Sequence, residues 1–347
     1  MMTDITDPCP LVFVHLGDRF PRFAAANVRM AVRHSRLPVW LVTDAPVESI
    51  DLAAARVIPI DSSWYDGGRM ARFSRRTLLD GDFRNGFWLK TVERFFVLEA
   101  IMPTFGLRRL LHAELDVVVS DLSTLMLGLL DDAAALHLPF PLPDRVIASL
   151  VHVNRPEGLR RLCDWIVESA DYRNEMQLLA DFVRHDPMAV TMLPTDAALD
   201  VGPNDWRSTL TAVSPATIGG IVDANAMGHW LFGSDPRNHT GPSWNRLGDR
   251  HSQRRLSRLT FEFDRDGVSL LVRTKQDSIQ RVLALHVHAK VHDRLERGRL
   301  QRRVLRNLQR GRPTLIRAGV PLTIRRGRTA LPSRWASRIR AWRFRGL

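Results

Sequence analysis

Residues 107–122 read Leu107-Arg-Arg-Leu-Leu-His-Ala-Glu-Leu-Asp-Val-Val-Val-Ser-Asp-Leu122. The apolar pair Leu110 and Leu111 predicts a strand that delivers His112, Glu114 and Asp116 at its end, with a second apolar run, Val117 to Val119, directly after. In an extended chain alternate side chains share a face, so these three polar residues point the same way. Two carboxylates and an imidazole between apolar runs repel one another and lose hydration unless a cation sits among them. The pattern therefore points to a site for a metal ion and a diphosphate. The bland alternative is a polar strand end facing water.

Upstream, Leu11-Val-Phe-Val-His-Leu16 and Val39-Trp-Leu-Val-Thr43 are short apolar runs, the signature of buried parallel strands. Between them Phe20, Phe23, Ala24, Asn27, Met30, Ala31 and His34 recur at helical spacing, and Val57–Ile60 reads as a third strand. Strand, helix and strand joined by short links open a doubly wound α/β sheet, which binds ligands beyond the carboxyl ends of its strands. His15, Gly17, Thr43 and Asp44 fall at that rim, where a nucleotide would lie; each also reads as a turn residue. Residues 61–82 read as a long polar surface loop. An amphipathic helix follows from Gly86, with Trp88, Val92, Phe95, Phe96 and Leu98 toward the core. Lys90 and Arg94, four apart, share a face that would meet phosphates.

Downstream, Asp121 is placed to cap a helix. Strands are expected at 135–140 and 146–154, helices at 157–170 and from Asn174, and Met192–Asp196 returns the chain to the sheet edge. Asp223 caps a helix that ends at Gly233, and 259–273 reads as a hairpin around Asp266-Gly267. Arg281-Val-Leu-Ala-Leu-His-Val-His-Ala-Lys290 reads as a strand with His286, His288 and Lys290 on one face. Carboxylate oxygen with one imidazole suits Mn²⁺ or Mg²⁺, whereas two or more histidines favour Zn²⁺ or Fe²⁺.

The charge is unevenly placed. Residues 297–347 hold 16 arginines and no acidic side chain, leaving 34 basic and 37 acidic residues in 1–296. The expected organisation is one α/β domain over 1–296 and an Arg-rich extension over 297–347. In the extension Trp335, Ile339 and Trp342 fall at helical spacing among arginines, which suits a helix lying on an anionic membrane surface. A solvated basic tail is the bland alternative, and an arm making salt-dependent contacts to nucleic-acid phosphates is a third, disfavoured reading. The nearly neutral body is unlike a globally basic nucleic-acid binder, which spreads its charge over its folded surface. Only Cys9 and Cys163 are present, so a disulfide framework is unsupported, and no apolar run reaches membrane-spanning length. The N-terminus has no basic region followed by an apolar one. A cytoplasmic protein, peripheral on the inner face of the membrane, is expected. Lysine occurs only at 90, 275 and 290; genome-wide drift toward arginine accounts for the scarcity without a functional reason. Yet Lys90 and Lys290 fall in the two stretches singled out here, and a compact ammonium at a phosphate is one place where arginine is a poor replacement.

Over roughly residues 10–292 the order of these features resembles the GT-A-type glycosyltransferases, which use nucleotide-sugar donors and end a central strand in Asp-x-Asp. The features are the opening strand-helix-strand, the Lys90/Arg94 helix, Glu114-Leu115-Asp116, Ala148-Ser-Leu-Val-His-Val-Asn154 and His286-x-His288-x-Lys290. The likeness is to the bacterial and retaining branches. It implies a doubly wound, mixed, mostly parallel sheet flanked by helices, to which the residues of 297–347 add a basic helical tail. It also implies a UDP-sugar donor, Mn²⁺ or Mg²⁺, and a glycan or lipid-linked acceptor. Asp116 would be the principal metal ligand, Glu114 would meet the donor and the metal, and His286 or His288 would complete the site. Lys290 would neutralise the leaving diphosphate, and retention is favoured over inversion. Glu replaces the first Asp of the motif, and the usual Gly-x-x-Lys-Pro-Trp ending is absent. A catalytic or acceptor-side carboxylate would come from Glu175, Asp181, Asp196 or Asp223.

Rival readings are a sugar-phosphate nucleotidyltransferase, disfavoured by the single glycine after the first strand, and a metal hydrolase. The non-enzymatic rival is a binding protein acting through its basic tail on membrane or nucleic acid.

Overall fold

A computed structural model of the chain describes residues 9–65, 68–169, 174–195, 205–233, 256, 259–264, 269–273, 279–297, 314–317 and 320–323. The apolar runs near the N-terminus form β1 (Leu11–His15), β2 (Val39–Thr43) and β3 (Arg56–Pro59). With β4 (Leu110–Ala113), β6 (Leu136–Pro139), β7 (Leu150–Val153) and β8 (Val190–Leu193) they build a seven-stranded sheet in the order β3-β2-β1-β4-β7-β6-β8. Only the two pairings made by β7 are antiparallel, so the sheet is mixed and mostly parallel, as expected.

Helices α1 (Arg22–His34) and α4 (Ser123–Leu129) pack in one apolar cluster with Leu11, Phe13 and Leu41. Helices α3 (Phe87–Thr104), α5 (Pro156–Glu168) and α6 (Glu175–His185) pack in another with Val12, Val14 and Val151. Successive residues of β1 thus fall in different clusters, which is why the run is continuously apolar.

A second sheet has the order β10-β11-β12-β5, from β10 (Thr260–Phe263), β11 (Leu270–Arg273), β12 (Ile279–His286) and β5 (Val117–Val119). The short β9 (Ile221–Val222) lies parallel to β12. Helix α8 (Ala226–Phe232) packs in the apolar cluster of this sheet.

Several boundaries differ from expectation. The supposed loop 61–82 contains a short 3₁₀ turn, Ser62–Tyr65, and α2 (Arg69–Arg76), which buries Phe73. One apolar residue per turn anchors a helix that composition alone hid. The strand expected over 146–154 is confined to β7, because Ser149 donates its amide to Ile147 in a turn (2.7 Å). Asp121 does accept the Ser123 amide (2.9 Å) at the start of α4. The described part of the C-terminal extension is a hairpin, Thr314–Arg317 with Val320–Thr323. The helix expected around Trp335–Trp342 lies outside the described residues. Among the described residues no helix is long and apolar enough to cross a membrane.

Three fully buried histidines sit in the main sheet. His112 holds Nδ1 3.0 Å from the Val12 carbonyl. His152 and His137 face each other across β7 and β6 with their Nδ1 atoms 3.0 Å apart. One of the pair donates and the other accepts, which requires a neutral ring at the acceptor. Burial pushes His112 down to about 3 and His137 to about 4, and holds His152 well below its usual range. In the unfolded chain these rings protonate near their ordinary value of about 6.5. Below that pH the unfolded state binds more protons, so stability falls until the folded values are reached. Denaturant unfolding is expected to lose about 1.4 kcal/mol per pH unit for each such histidine between pH 6.5 and 4. A flat stability profile over that range would refute their neutral burial.

Candidate metal centre

The two sheets meet in the turn between β4 and β5. The Val117 amide donates to the Glu114 carbonyl (2.9 Å), reversing the chain over four residues. Asn27 of α1, fully buried, donates its side-chain amide to the Leu115 and Val117 carbonyls (3.2 and 2.7 Å). The Glu114 amide donates to the Ser149 carbonyl (3.2 Å). The strand therefore ends at Ala113, and the common face expected for His112, Glu114 and Asp116 does not exist. His112 stays in the core; Glu114 and Asp116 reach the cleft because the turn projects them.

Antiparallel pairing sets His286 against Val117, and the Val287 amide donates to the Asp116 carbonyl (2.7 Å). The expected strand 281–290 stops at His286, and Lys290 takes a left-handed backbone (φ 54°). That bend lets the Lys290 ammonium reach the Asp116 carboxylate. His286 Nε2 lies 3.2 Å from Asp116 and 3.5 Å from Glu114. Its Nδ1 donates to the Ala224 carbonyl (2.9 Å), which leaves Nε2 facing the carboxylates. The His288 ring stacks on His286 (centroids 3.8 Å) and meets His229 at a tilt of 36° (4.1 Å), and its buried Nε2 has no hydrogen-bond partner.

Asp116, His286 and His288 each offer one ligand atom within 4.8 Å of the others. A carboxylate oxygen and two imidazoles fit a first-row divalent cation, and the unpartnered nitrogen supports that fit. Burial favours a neutral Asp116, but Lys290 and His286 outweigh it and hold the carboxyl well below the usual range. Burial likewise disfavours a charged His286, yet Asp116 raises it to about 9. Burial and the neighbouring His286 hold His288 well below its ordinary value.

The centre opens into a cleft of about 1010 Å³ beyond the carboxyl ends of β1 and β4, lined also by His15, Gly17, Lys90, Arg94 and Glu175. Gly17 donates its amide to Asp44 (2.7 Å), and a Cβ there would stand 3.3 Å from the Lys90 ammonium. Its φ of 142° also favours glycine. Asp44 thus fixes the β1 loop from outside, exposed and off the cleft wall.

Arg94 differs from the phosphate-facing role expected of it. Its buried guanidinium donates to Glu114 (2.8 Å) and to Glu175, so both carboxylates neutralise it. Burial lifts Glu175 to about 7, with Arg94 opposing and Glu114 adding to the rise.

Among the remaining carboxylates, Asp181 pairs with Arg184 on the outer face of α6 (2.6 Å). Asp223 is fully buried and accepts the amides of Met227, Gly228 and His286 (3.0, 2.8 and 3.2 Å). It ties α8 to β12 and does not line the cleft. Asp196 lies outside the described residues. Sequence reasoning passed over Asn27, His229 and Gly228. Asn27 alone left a signal, a polar residue at an apolar helical position.

No protein-family model matches the sequence, and no curated protein matches it. Solved structures with partial likeness include mouse xyloside xylosyltransferase 1 (TM-score 0.38, 11% identity, covering 55% of this chain and 86% of that one). The galactosyltransferase LgtC, solved with donor and acceptor sugar analogues, gives 0.35 at 13% identity over 53% of this chain and 73% of its own. The Streptococcus pneumoniae glycosyltransferase GlyE gives 0.37 at 16% over 59% and 50%. Likeness of this size assigns no activity by itself.

A Cβ at Gly228 would stand 1.7 Å from the His286 carbonyl oxygen, backbone against backbone. Gly228→Ala is therefore expected to push α8 off β12, costing about 1–3 kcal/mol and abolishing any thermal shift produced by Mn²⁺. Gly81→Ala, whose Cβ meets only the Leu89 side chain at 3.5 Å, should stay within about 0.5 kcal/mol. Paired melting curves with and without the metal check both.

Proposed function

We propose that the chain is a metal-dependent glycosyltransferase that takes a sugar from a nucleotide-diphosphate donor, a UDP-sugar, and passes it to a glycan or lipid-linked acceptor. The observation that carries this reading is the grouping of Asp116, His286 and His288 with two lysines, Lys90 and Lys290, in one cleft. Three clustered ligand atoms suit a cation, and two ammonium groups beside them suit a phosphate-rich anion.

Asp116, His286 and His288 would hold Mn²⁺ or Mg²⁺, with Glu114 at its edge. The two imidazoles weigh against Mg²⁺ and, by the same donor chemistry, admit Fe²⁺ or Zn²⁺ beside Mn²⁺. Bound there, the cation would supply positive charge against the negative charge that grows on a departing diphosphate. Lys290 and Lys90 would supply charge of the same sign from fixed positions. His15 and Asp44 would shape the nucleotide end of the cleft, Asp44 by holding Gly17. Glu175 is the carboxylate assigned to the reacting sugar or acceptor. Its value near 7 lets it exchange a proton at neutral pH, and Arg94 holds it in place. Asp223 would act through His286, and Asp196 remains an alternative acceptor-side carboxylate. Retention is favoured, with Glu175 on the sugar side. The Arg-rich extension would bring the cleft to an anionic membrane surface, where a lipid-linked acceptor resides.

Calorimetric titration of UDP and GDP, with and without Mn²⁺, tests the reading. UDP binding that requires the metal is expected, weakened more than about tenfold by Asp116→Ala. Failure of both nucleotides to bind, with or without metal, would sink it.

A further inference from the structure

We infer that the rim formed by Phe83, Arg84, Phe87 and Trp88 is a stacking platform for a pyranose ring of the acceptor. The inference rests on the donor assignment above, which places the nucleotide at His15, Gly17 and the lysines and leaves this rim uncommitted.

All four side chains line the cleft and are half-buried. Trp88 packs against the main core, as its helical spacing predicts, and presents its remaining surface to the cleft. The Phe83 and Trp88 rings are nearly parallel (13°, centroids 6.0 Å), and Phe87 meets Trp88 edge-on at 4.9 Å. The Arg84 guanidinium sits over Phe83 at 5.0 Å and over Phe87 at 5.9 Å. The aromatic surface is therefore a fixed group of rings, each braced by another.

The backbone adds a second observation. Arg84, Asn85 and Gly86 take positive φ in succession (51°, 57° and 76°). Two non-glycine residues in that region carry strain that other contacts must hold. The Phe87 amide donates to the Phe83 carbonyl (2.9 Å), closing the turn that sets Phe83 beside Trp88. A strained turn that leaves three aromatic rings half in water buries less apolar surface than the core would. Packing accounts for Trp88, which lies against the main core, but Phe83 and Phe87 lie outside it, and a binding role accounts for their placement on the cleft. Pyranose rings present an apolar face of C–H groups and a rim of hydroxyls, which matches an aromatic surface flanked by Arg84 and Asn85.

The test uses the full chain with Mg²⁺ and UDP, and saturation-transfer NMR on the methyl glycosides of glucose, galactose, mannose and N-acetylglucosamine. At least one is expected to receive saturation on the hydrogens of a single ring face. Phe83→Leu, which keeps apolar volume and removes the π face, should weaken that glycoside about three- to tenfold and leave UDP affinity unchanged. Trp88→Phe should preserve it, showing that the rim still folds. Glycoside binding by none of the four while UDP binds, or binding indifferent to Phe83→Leu, would overturn the platform. So would a loss of UDP affinity in Phe83→Leu, which would make the rim a nucleobase site. Failure of UDP to bind the unaltered chain with either Mg²⁺ or Mn²⁺ would count against the donor reading instead, and the glycoside signal would then judge the platform alone.

Discussion

The constraint on which the structure depends is the crossing at Glu114–Val117, where the chain leaves one sheet and enters another. Two carboxylates are projected there next to buried apolar strands, a placement that bulk water would otherwise resist. The turn persists because its backbone is held from three sides: Asn27 on the Leu115 and Val117 carbonyls, Ser149 on the Glu114 amide, and Val287 on the Asp116 carbonyl. Each partner comes from a different part of the chain. The carboxylates are therefore positioned by the assembled fold, not by their own strand.

Charge compensation follows the same geometry. Asp116 faces Lys290 and His286, while Glu114 shares Arg94 with Glu175. The site divides into an acidic pair clamped by an arginine and a carboxylate-imidazole cluster beside a lysine. Asp223 joins the second half to the fold by binding three backbone amides, including that of His286. Its depth explains why the carboxylate is used on amides: in a dry interior an ionised oxygen needs several donors, and a helix start with an adjoining strand provides them.

Much of this was legible beforehand. The strands of the first half read correctly because continuous apolar runs bounded by turn residues have few other solutions. The turn at Glu114 was misread as extended because its reason lies in Asn27 and Ser149, remote in sequence. For the same cause His112 was grouped with the carboxylates, whereas the structure gives it to the core. His286, His288 and Lys290 do gather beside Asp116, but only His286 lies in the strand, and a left-handed bend at Lys290 brings in the last. Gly228 and His229 gave no signal, since a close backbone approach and a ring stack leave no periodic trace. Residues 196–204 and 234–255 lie outside the described residues, so the reading of Asp196 stays an expectation.

The different fates of Lys90 and Arg94 follow from their head groups. The two are one helical turn apart on α3 and both line the cleft. A planar guanidinium presents donors in a fork, so it can bind two carboxylates at once, and Arg94 does so while buried. An ammonium is compact, and that of Lys90 lies close to the bare backbone of Gly17, where a Cβ would stand 3.3 Å from it. With three lysines in 347 residues, the placement of Lys90 and Lys290 in one cleft is the feature that an Arg-for-Lys drift explains least.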